Sequence, residues 1–302
     1  MTELQVSRTE CRDLPRRVVL LVTTQRSGST WLLDILRCHP RIDMIPPADV
    51  FRFLGISGRW RYPSDLATPG LKEGSIEISD GVWVNLPPLR DSIEYTAFES
   101  LGTLPLFAVE KVHPHFLRGV EGDVTEPIWR LRERVDLKIV YQCRDPLSTF
   151  RSFKSYQKRN RGWYARIDTD SRLLAHMAAA FRDMYTLVTE IPGLIVDYSG
   201  LKEQFESEML RVFAHVWGRA FRKRRDAECD LLRAVAIATD LERRRKAAPA
   251  PFFGNDAQPM FPAGAPGKWS SQDCCLLYDE CGRLYEAILA KRTRRSGLLA
   301  WL

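Results

Sequence analysis

The stretch "LLVTTQRSGSTWLLDIL", residues 20–36, decides how the rest of the chain is read. It begins apolar and β-branched, passes through a polar turn around Gly28, and resumes with Trp31, Leu32, Ile35 and Leu36 at the spacing of a helix face. Val18–Thr23 is therefore expected to be a buried strand, and a helix is expected to run from Ser29 and stop before Pro40. A turn at a helix N-terminus presents unpaired amides, and the helix dipole favours negative charge there. Gly28 lets backbone approach an anion closely, Ser27, Ser29 and Thr30 add hydroxyl donors, and Arg26 adds a guanidinium able to grip two oxygens. One hydroxyl is enough to cap a helix. Three around a glycine, behind an arginine, point instead to an anion cradle. The nucleotide-loop pattern G-x-x-x-x-G-K-[ST] is absent, and no acidic strand end for magnesium is evident, so ATP hydrolysis is disfavoured.

Outward from this loop, the pattern repeats. "LPLFAVEKVHP" (104–114) reads as a second strand closed by proline, and "VDLKIVYQCRDP" (135–146) as a third that also ends in a polar turn. A helix is expected over about 171–190, with Leu173, Leu174, Met177, Phe181, Met184 and Leu187 on one face. "GLIVDYSGL" (193–201) reads as a fourth strand, followed by a helix to about residue 217. Residues 1–17 read as a polar arm and 18–302 as one domain, in which 40–100 is Pro- and Gly-rich and expected to be irregular with short helices. Alternating strands and helices predict an α/β three-layer sandwich, a central and mostly parallel sheet with helices on both faces. Ligands of such sheets bind at the carboxyl ends of the strands. The polar clusters Gln25–Thr30, Lys111–His113 and Arg144–Asp145 all fall at such ends.

Composition bounds the function. Of 302 residues, 45% are hydrophobic and 27% charged, ordinary for a globular protein with a real core. The net charge of +7 suits an anionic partner. The basic residues are scattered and not gathered in a tail, so a basic cleft for a small anion fits as well as nucleic acid does. No segment nears the roughly 18 consecutive apolar residues of a membrane span, and the first residues lack the apolar core of a signal peptide. Seven cysteines at irregular spacing, without a CxxC pair, suggest neither a zinc site nor a disulfide framework. Reduced thiols in a cytoplasmic protein are expected.

Two more motifs carry chemistry. In "CRDPLSTFRSF" (143–153), Arg144 can fork onto two oxygens of an anion, and Ser152, about two turns into the next helix, can donate a third bond. The competing reading is a strand–helix junction in which Arg144 pairs with Asp145. In "EKVHP" (110–114), Lys111 and His113 point to one side of an alternating strand. A neutral imidazole there could take a hydroxyl proton near pH 7, with His115 or Glu110 as competitors for that role.

"TTQRSGSTW" (23–31) resembles the 5′-phosphosulfate loop of sulfotransferases that use 3′-phosphoadenosine 5′-phosphosulfate (PAPS), in the Arg-Ser-Gly form common among carbohydrate and tyrosine sulfotransferases. Arg144 and Ser152 are similar to that family's 3′-phosphate motif, and Lys111–His113 to the Lys-x-His at which many cytosolic members place their base. "VDYSGL" (196–201) resembles the family's strand and Tyr-x-x-Leu step, and "GAPGKW" (264–269) its Gly-x-x-Gly-x-Trp segment over the nucleotide. The chain departs from the pattern at Pro262 and Ala263, where many members carry Arg-Lys for the 3′-phosphate; Lys268 or a basic residue of "KSYQKRNRGWYAR" (154–166) is the candidate replacement.

The resemblance implies a P-loop-NTPase-like sulfotransferase fold and transfer of a sulfuryl group from PAPS to an acceptor hydroxyl, releasing 3′-phosphoadenosine 5′-phosphate (PAP), with no metal required. It implies His113 as base, Arg26 and Lys111 as charge on the departing and transferring groups, and Gln25, Arg26, Ser27, Gly28, Ser29, Thr30, Trp31, Arg144, Ser152, Tyr198, Gly267, Lys268 and Trp269 around the nucleotide. Trp31 would contact adenine and Tyr198 would lie near the adenosine. The implied partner is a hydroxylated small molecule, glycoside or carbohydrate, not nucleic acid or membrane, and a homodimer is compatible. Arg-Ser-Gly leans towards carbohydrates and Lys-x-His towards phenols and alcohols, a mixture that suggests a tailoring enzyme of the bacterial kind. The rivals are a P-loop kinase or nucleotidase and a non-catalytic nucleotide or polyanion binder. The basic runs 219–226 and 242–246 come without a zinc or RNA-binding signature and read as surface charge.

Overall fold

The computed structural model describes residues 16–44, 75–79, 82–85, 104–118, 122–159, 167, 169–238 and 272–299. Strand β1 (Arg17–Thr23) is buried from Val18 onward on both faces, as its unbroken β-branched and leucine run requires. It sits at the centre of a five-stranded sheet in the order β2 (Ile42–Met44), β5 (Phe107–Val112), β1, β6 (Asp136–Cys143), β7 (Leu194–Asp197). Every pairing in that sheet is parallel. A separate antiparallel hairpin, β3 (Ser75–Ser79) and β4 (Val82–Asn85), stands apart from it. Where residues 40–100 are described they thus form strands, not the short helices expected; Ile42, Asp43 and Met44 extend the sheet by pairing with Phe107, Ala108 and Val109.

Helices cover both faces, giving the three-layer α/β sandwich. Against one face, Val18, Leu20, Val112, Ile139 and Tyr141 pack with α2 (Glu126–Arg132), α4 (Asp170–Glu190) and α10 (Arg283–Leu299). Against the other, Val19, Leu21, Val109, Val140 and Val196 pack with α1 (Ser29–Arg37), α6 (Phe205–Trp217) and α8 (Arg225–Ala238). The alternation of odd and even residues along each strand is what divides the core into two clusters. Helix α3 (Pro146–Arg159) follows β6 directly.

The fourth strand is shorter than its sequence suggests. It ends at Asp197, and Tyr198–Glu203 is a helix, α5. The reason is a cap: one Asp197 carboxylate oxygen accepts from the Gly200 amide at 3.2 Å and the other from the Tyr285 hydroxyl at 2.8 Å. The first helix is pinned at its far end by a buried pair invisible to periodicity. His39 Nε2 lies 2.9 and 3.0 Å from the two Glu228 oxygens, His39 Nδ1 accepts from the Arg41 amide at 3.0 Å, and both side chains are fully buried. A neutral Nε2–H imidazole satisfies all three contacts. No helix among the described residues is long and apolar enough to cross a membrane.

Candidate functional site

The carboxyl ends of β1, β5, β6 and β7 bring Thr23, Val112, Cys143 and Asp197 to one edge of the sheet, and the loops leaving them form the site. The loop after β1 is held from within. Ser27 donates its hydroxyl to the Thr24 carbonyl at 2.6 Å, and the buried Gln142 donates its amide to the Ser27 carbonyl at 3.2 Å. Ser27 therefore shapes the turn with its side chain and does not offer that proton outward. Ser29 is buried and Thr30 exposed; the Trp31 and Leu32 amides both bond to the Gly28 carbonyl, at 3.0 and 3.3 Å, while the Ser29 and Thr30 amides ahead of them have no preceding helical carbonyl to bond. Arg26 and Gly28 both adopt left-handed backbone, with φ of 59° and 80°. A non-glycine residue in that conformation is uncommon and clusters at functional sites.

Gly28 is required for a second reason. A β-carbon there would stand 2.3 and 2.4 Å from Cε2 and Cδ2 of Tyr198. The Tyr198 ring lies beneath the Arg144 guanidinium, 4.7 Å from its centroid, and meets Trp31 edge-on at 6.2 Å. Trp31 in turn stacks on Phe205 at 5.9 Å, and its buried indole Nε1 has no hydrogen-bond partner among the described residues. Trp31 is thus both packed against the α6 side of the core and part of an aromatic group flanking the loop.

Arg144 and Ser152 are buried, and Arg144 Nη1 approaches the Arg26 carbonyl at 3.5 Å. Burial lowers the guanidinium's pKa, while Tyr198, Asp145 and Asp197 pull it back up, so it stays a cation. Asp145 is occupied as a helix cap, accepting from the Ser148 amide at 2.7 Å. Arg26 Nε donates to Ser152 Oγ at 3.3 Å, which joins two motifs separated by 126 residues.

His113 is the next group along the edge. Its backbone stays extended (φ −98°, ψ 142°), so strand alternation carries one residue past β5 and keeps it on the Lys111 side. His113 Nδ1 lies 2.8 Å from the Thr23 carbonyl and 3.1 Å from Thr23 Oγ1. A carbonyl only accepts, so Nδ1 carries the proton and Nε2 keeps a free lone pair. Burial first, and the Lys111 charge second, lower the His113 pKa to about 3. The competitors differ in placement. Glu110 faces the opposite side of β5, with Val112; burial raises its pKa to about 8, one oxygen accepts from the Lys111 amide at 2.7 Å and the other has no partner. His115 lies parallel to His113 at 5.8 Å, with its buried Nδ1 unpartnered among the described residues. Two bonds of 2.9 Å from Arg118 to Asp183 fasten this histidine segment to α4.

Gln25 reaches the other way, to His176 on α4 at 2.6 Å. Gln142, Thr23, Phe205 and His176 all support the site, and none stood out in the sequence. For His176 a signal existed, since it is a single polar ring between Leu173 and Met177 on an apolar helix face. Gly267, Lys268 and Trp269, with Pro262 and Ala263, lie outside the described residues. Of the basic run 154–166, Lys154 pairs with Asp170. Residues 219–226 follow α6, whose Trp217 donates to the Pro105 carbonyl at 2.8 Å, at the end of the sheet where β5 begins and away from the site.

These burials give the fold a defined pH dependence. The pKa values of His113, His115, His176 and His215 are all lowered by burial, to about 3 for His113 and about 4 for His115 and His215. Below about pH 6.5 the unfolded chain binds protons that the folded chain refuses, so stability falls as pH drops towards 4. Glu110 has the opposite sign, its contribution being lost as pH rises from about 4.5 to about 8. Four histidines outweigh one carboxyl, so melting temperature is expected to peak near neutrality and fall more steeply on the acid side. Thermal melts from pH 4.5 to 8.5 check this; a flat profile below pH 6.5 would contradict it.

No protein-family model and no curated protein sequence matches the chain. Among solved structures, the crystal structure of mouse sulfotransferase SULT7A1 complexed with PAP is similar to it, at 15% identity over 95% of this chain and 88% of that chain, with a TM-score of 0.45.

Proposed function

We propose that the chain transfers a sulfuryl group from PAPS to a hydroxyl of a small-molecule, glycoside or carbohydrate acceptor and releases PAP. The observation that carries this reading is the bond from Arg26 Nε to Ser152 Oγ. Each motif reads as anion-binding from its own residues, and the bond supports reading them as parts of one site, with Arg144 over Tyr198 beside them and His113 at the adjoining strand end. The donor set fits a nucleotide with two separated anionic groups. The first-turn amides, Ser29 and Thr30 would hold the 5′-phosphate, Arg144 and Ser152 the 3′-phosphate, and Trp31 and Tyr198 the adenosine.

PAPS, when bound, supplies an activated sulfuryl group on a phosphate leaving group. His113 receives the acceptor's hydroxyl proton at Nε2, the nitrogen its bond to Thr23 leaves free. Its lowered pKa keeps the imidazole neutral at working pH, and phosphate charge nearby offsets the Lys111 charge and makes it a stronger base. Arg26 and Lys111 hold positive charge where negative charge grows as the leaving group departs.

Incubation with labelled PAPS and a pooled panel of phenols, sugars and glycosides, read by mass shift, tests the proposal. Sulfated product is expected. A protein that binds PAP yet sulfates no acceptor would be a nucleotide-binding protein instead, and magnesium-dependent ATP turnover would make it a kinase or nucleotidase. Within the same assay Arg26→Ala separates chemistry from binding. Turnover is expected to fall about 100-fold or more, whereas the PAP dissociation constant, by calorimetry, rises less than about tenfold. Equal losses would reduce Arg26 to a binding residue.

A further inference from the structure

We infer that His176, on α4, is a positioning residue of the anion loop, fixing which end of the Gln25 side-chain amide faces a bound anion. The inference rests on the reading that the loop after β1 holds an anionic group. A primary amide has one end that only accepts and one that only donates, and only the donor end suits an anion. The Gln25 oxygen lies 2.6 Å from His176 Nε2. With the oxygen held against His176, the NH2 group is the end of the Gln25 amide left to face an anion on the loop.

The surroundings make His176 the group that decides this orientation. Thr24, Thr149, Phe153, Met177, Ala180 and Phe181 line the same crevice. Among the described residues that line it there is no carboxylate, and its two hydroxyls, Thr24 Oγ1 and Thr149 Oγ1, are buried without a partner among the described residues and so do not engage Gln25. The imidazole is itself held at a set angle, edge-on to Phe153 at 6.0 Å and to His115 at 5.7 Å. Burial lowers its pKa, so at neutral pH it carries one proton. With that proton on Nε2 it donates to the Gln25 oxygen; the other tautomer would accept a hydrogen bond from the NH2 group and turn the oxygen towards the anion, where it repels. Helix α4 thereby sets the polarity of a loop 151 residues away.

Calorimetric binding of PAP and of inorganic pyrophosphate to wild type, His176→Phe, His176→Gln, Gln25→Ala and the His176→Phe/Gln25→Ala double variant tests the inference. His176→Phe is expected to weaken both probes about tenfold. His176→Gln, whose amide nitrogen can stand where Nε2 stood, is expected to recover affinity to within about threefold of wild type. In the Gln25→Ala background His176→Phe should cost nothing further. Turnover at saturating PAPS should change less than about threefold in His176→Phe, because binding and not chemistry is affected. Unchanged affinity in His176→Phe, or a full tenfold loss persisting without Gln25, overturns the inference. Should His176→Phe melt below the assay temperature, His176→Leu takes its place. If pyrophosphate shows the pattern while PAP does not bind wild type, the inference stands and the nucleotide reading falls. If PAP binds and is indifferent to position 176, the inference falls and the nucleotide reading stands; if wild type binds neither probe, both fall.

Discussion

Turnover of the His113→Ala variant is expected to fall about 10²- to 10⁴-fold, the range for a positioned general base, while its PAP dissociation constant stays within about twofold of wild type. The asymmetry follows from the geometry. The Thr23 carbonyl accepts a hydrogen bond from Nδ1–H, so the Nε2 lone pair is the part of the ring available to an acceptor hydroxyl, and we assign the imidazole no nucleotide-holding role. The same variant keeps Lys111, whose charge already lowers the His113 pKa. The pH profile supplies an independent reading. Since kcat/KM for PAPS reports the enzyme before the nucleotide binds, and His113 there is neutral down to about pH 3, the acid limb of that parameter should be absent between pH 8 and pH 5. A limb at the ordinary histidine value near 6.5 would assign the proton to another group. Strong loss of PAP affinity in His113→Ala would make His113 part of the nucleotide pocket.

Gly28→Ala is expected to weaken PAP binding at least about 100-fold and to abolish measurable turnover. Two costs combine. A side chain at φ 80° strains the backbone by about 1–3 kcal/mol. The new β-carbon would also sit 2.3 Å from the Tyr198 ring, which cannot swing aside cheaply because Arg144 lies over its face and Trp31 against its edge. The displaced ring would also disturb Arg144, which lies over it and reaches the Arg26 carbonyl, so damage to the first loop reaches the second motif. Calorimetry on Gly28→Ala and on Gly28→Ala/Tyr198→Leu separates the two costs. Measured against Tyr198→Leu alone, which itself loses the adenosine contact, the double variant should show only the further loss due to backbone strain. A single variant that binds PAP like wild type would remove Gly28 and Tyr198 from the site.

Much of the fold was legible in local pattern. The β1–turn–α1 unit, strands β5 and β6 and helix α4 lie within a few residues of where periodicity and flanking prolines place them. Two departures have plain causes. Asp197 stops β7 because its carboxylate caps the next helix, and an apolar run through Tyr198 conceals that cap. Strand β2 is three residues long, too short for any alternation to register, and exists only because β5 offers it an edge.

The chemistry of the candidate site divides along the same line. The residues of "TTQRSGSTW", "CRDPLSTFRSF" and "EKVHP" determine by themselves that three strand ends carry the arginines, hydroxyls and histidine to which we assign anion binding and proton transfer, because residue type and short spacing encode what a turn can hold. Which proton His113 keeps, why Gly28 cannot bear a side chain, that Ser27 turns its hydroxyl inward, and that Arg26 meets Ser152 while Gln25 meets His176 were decided only by tertiary structure. The contacts responsible join residues 90, 126 and 151 positions apart. Partners that distant are chosen by how the helices pack on the sheet, and a local sequence pattern carries no record of that choice.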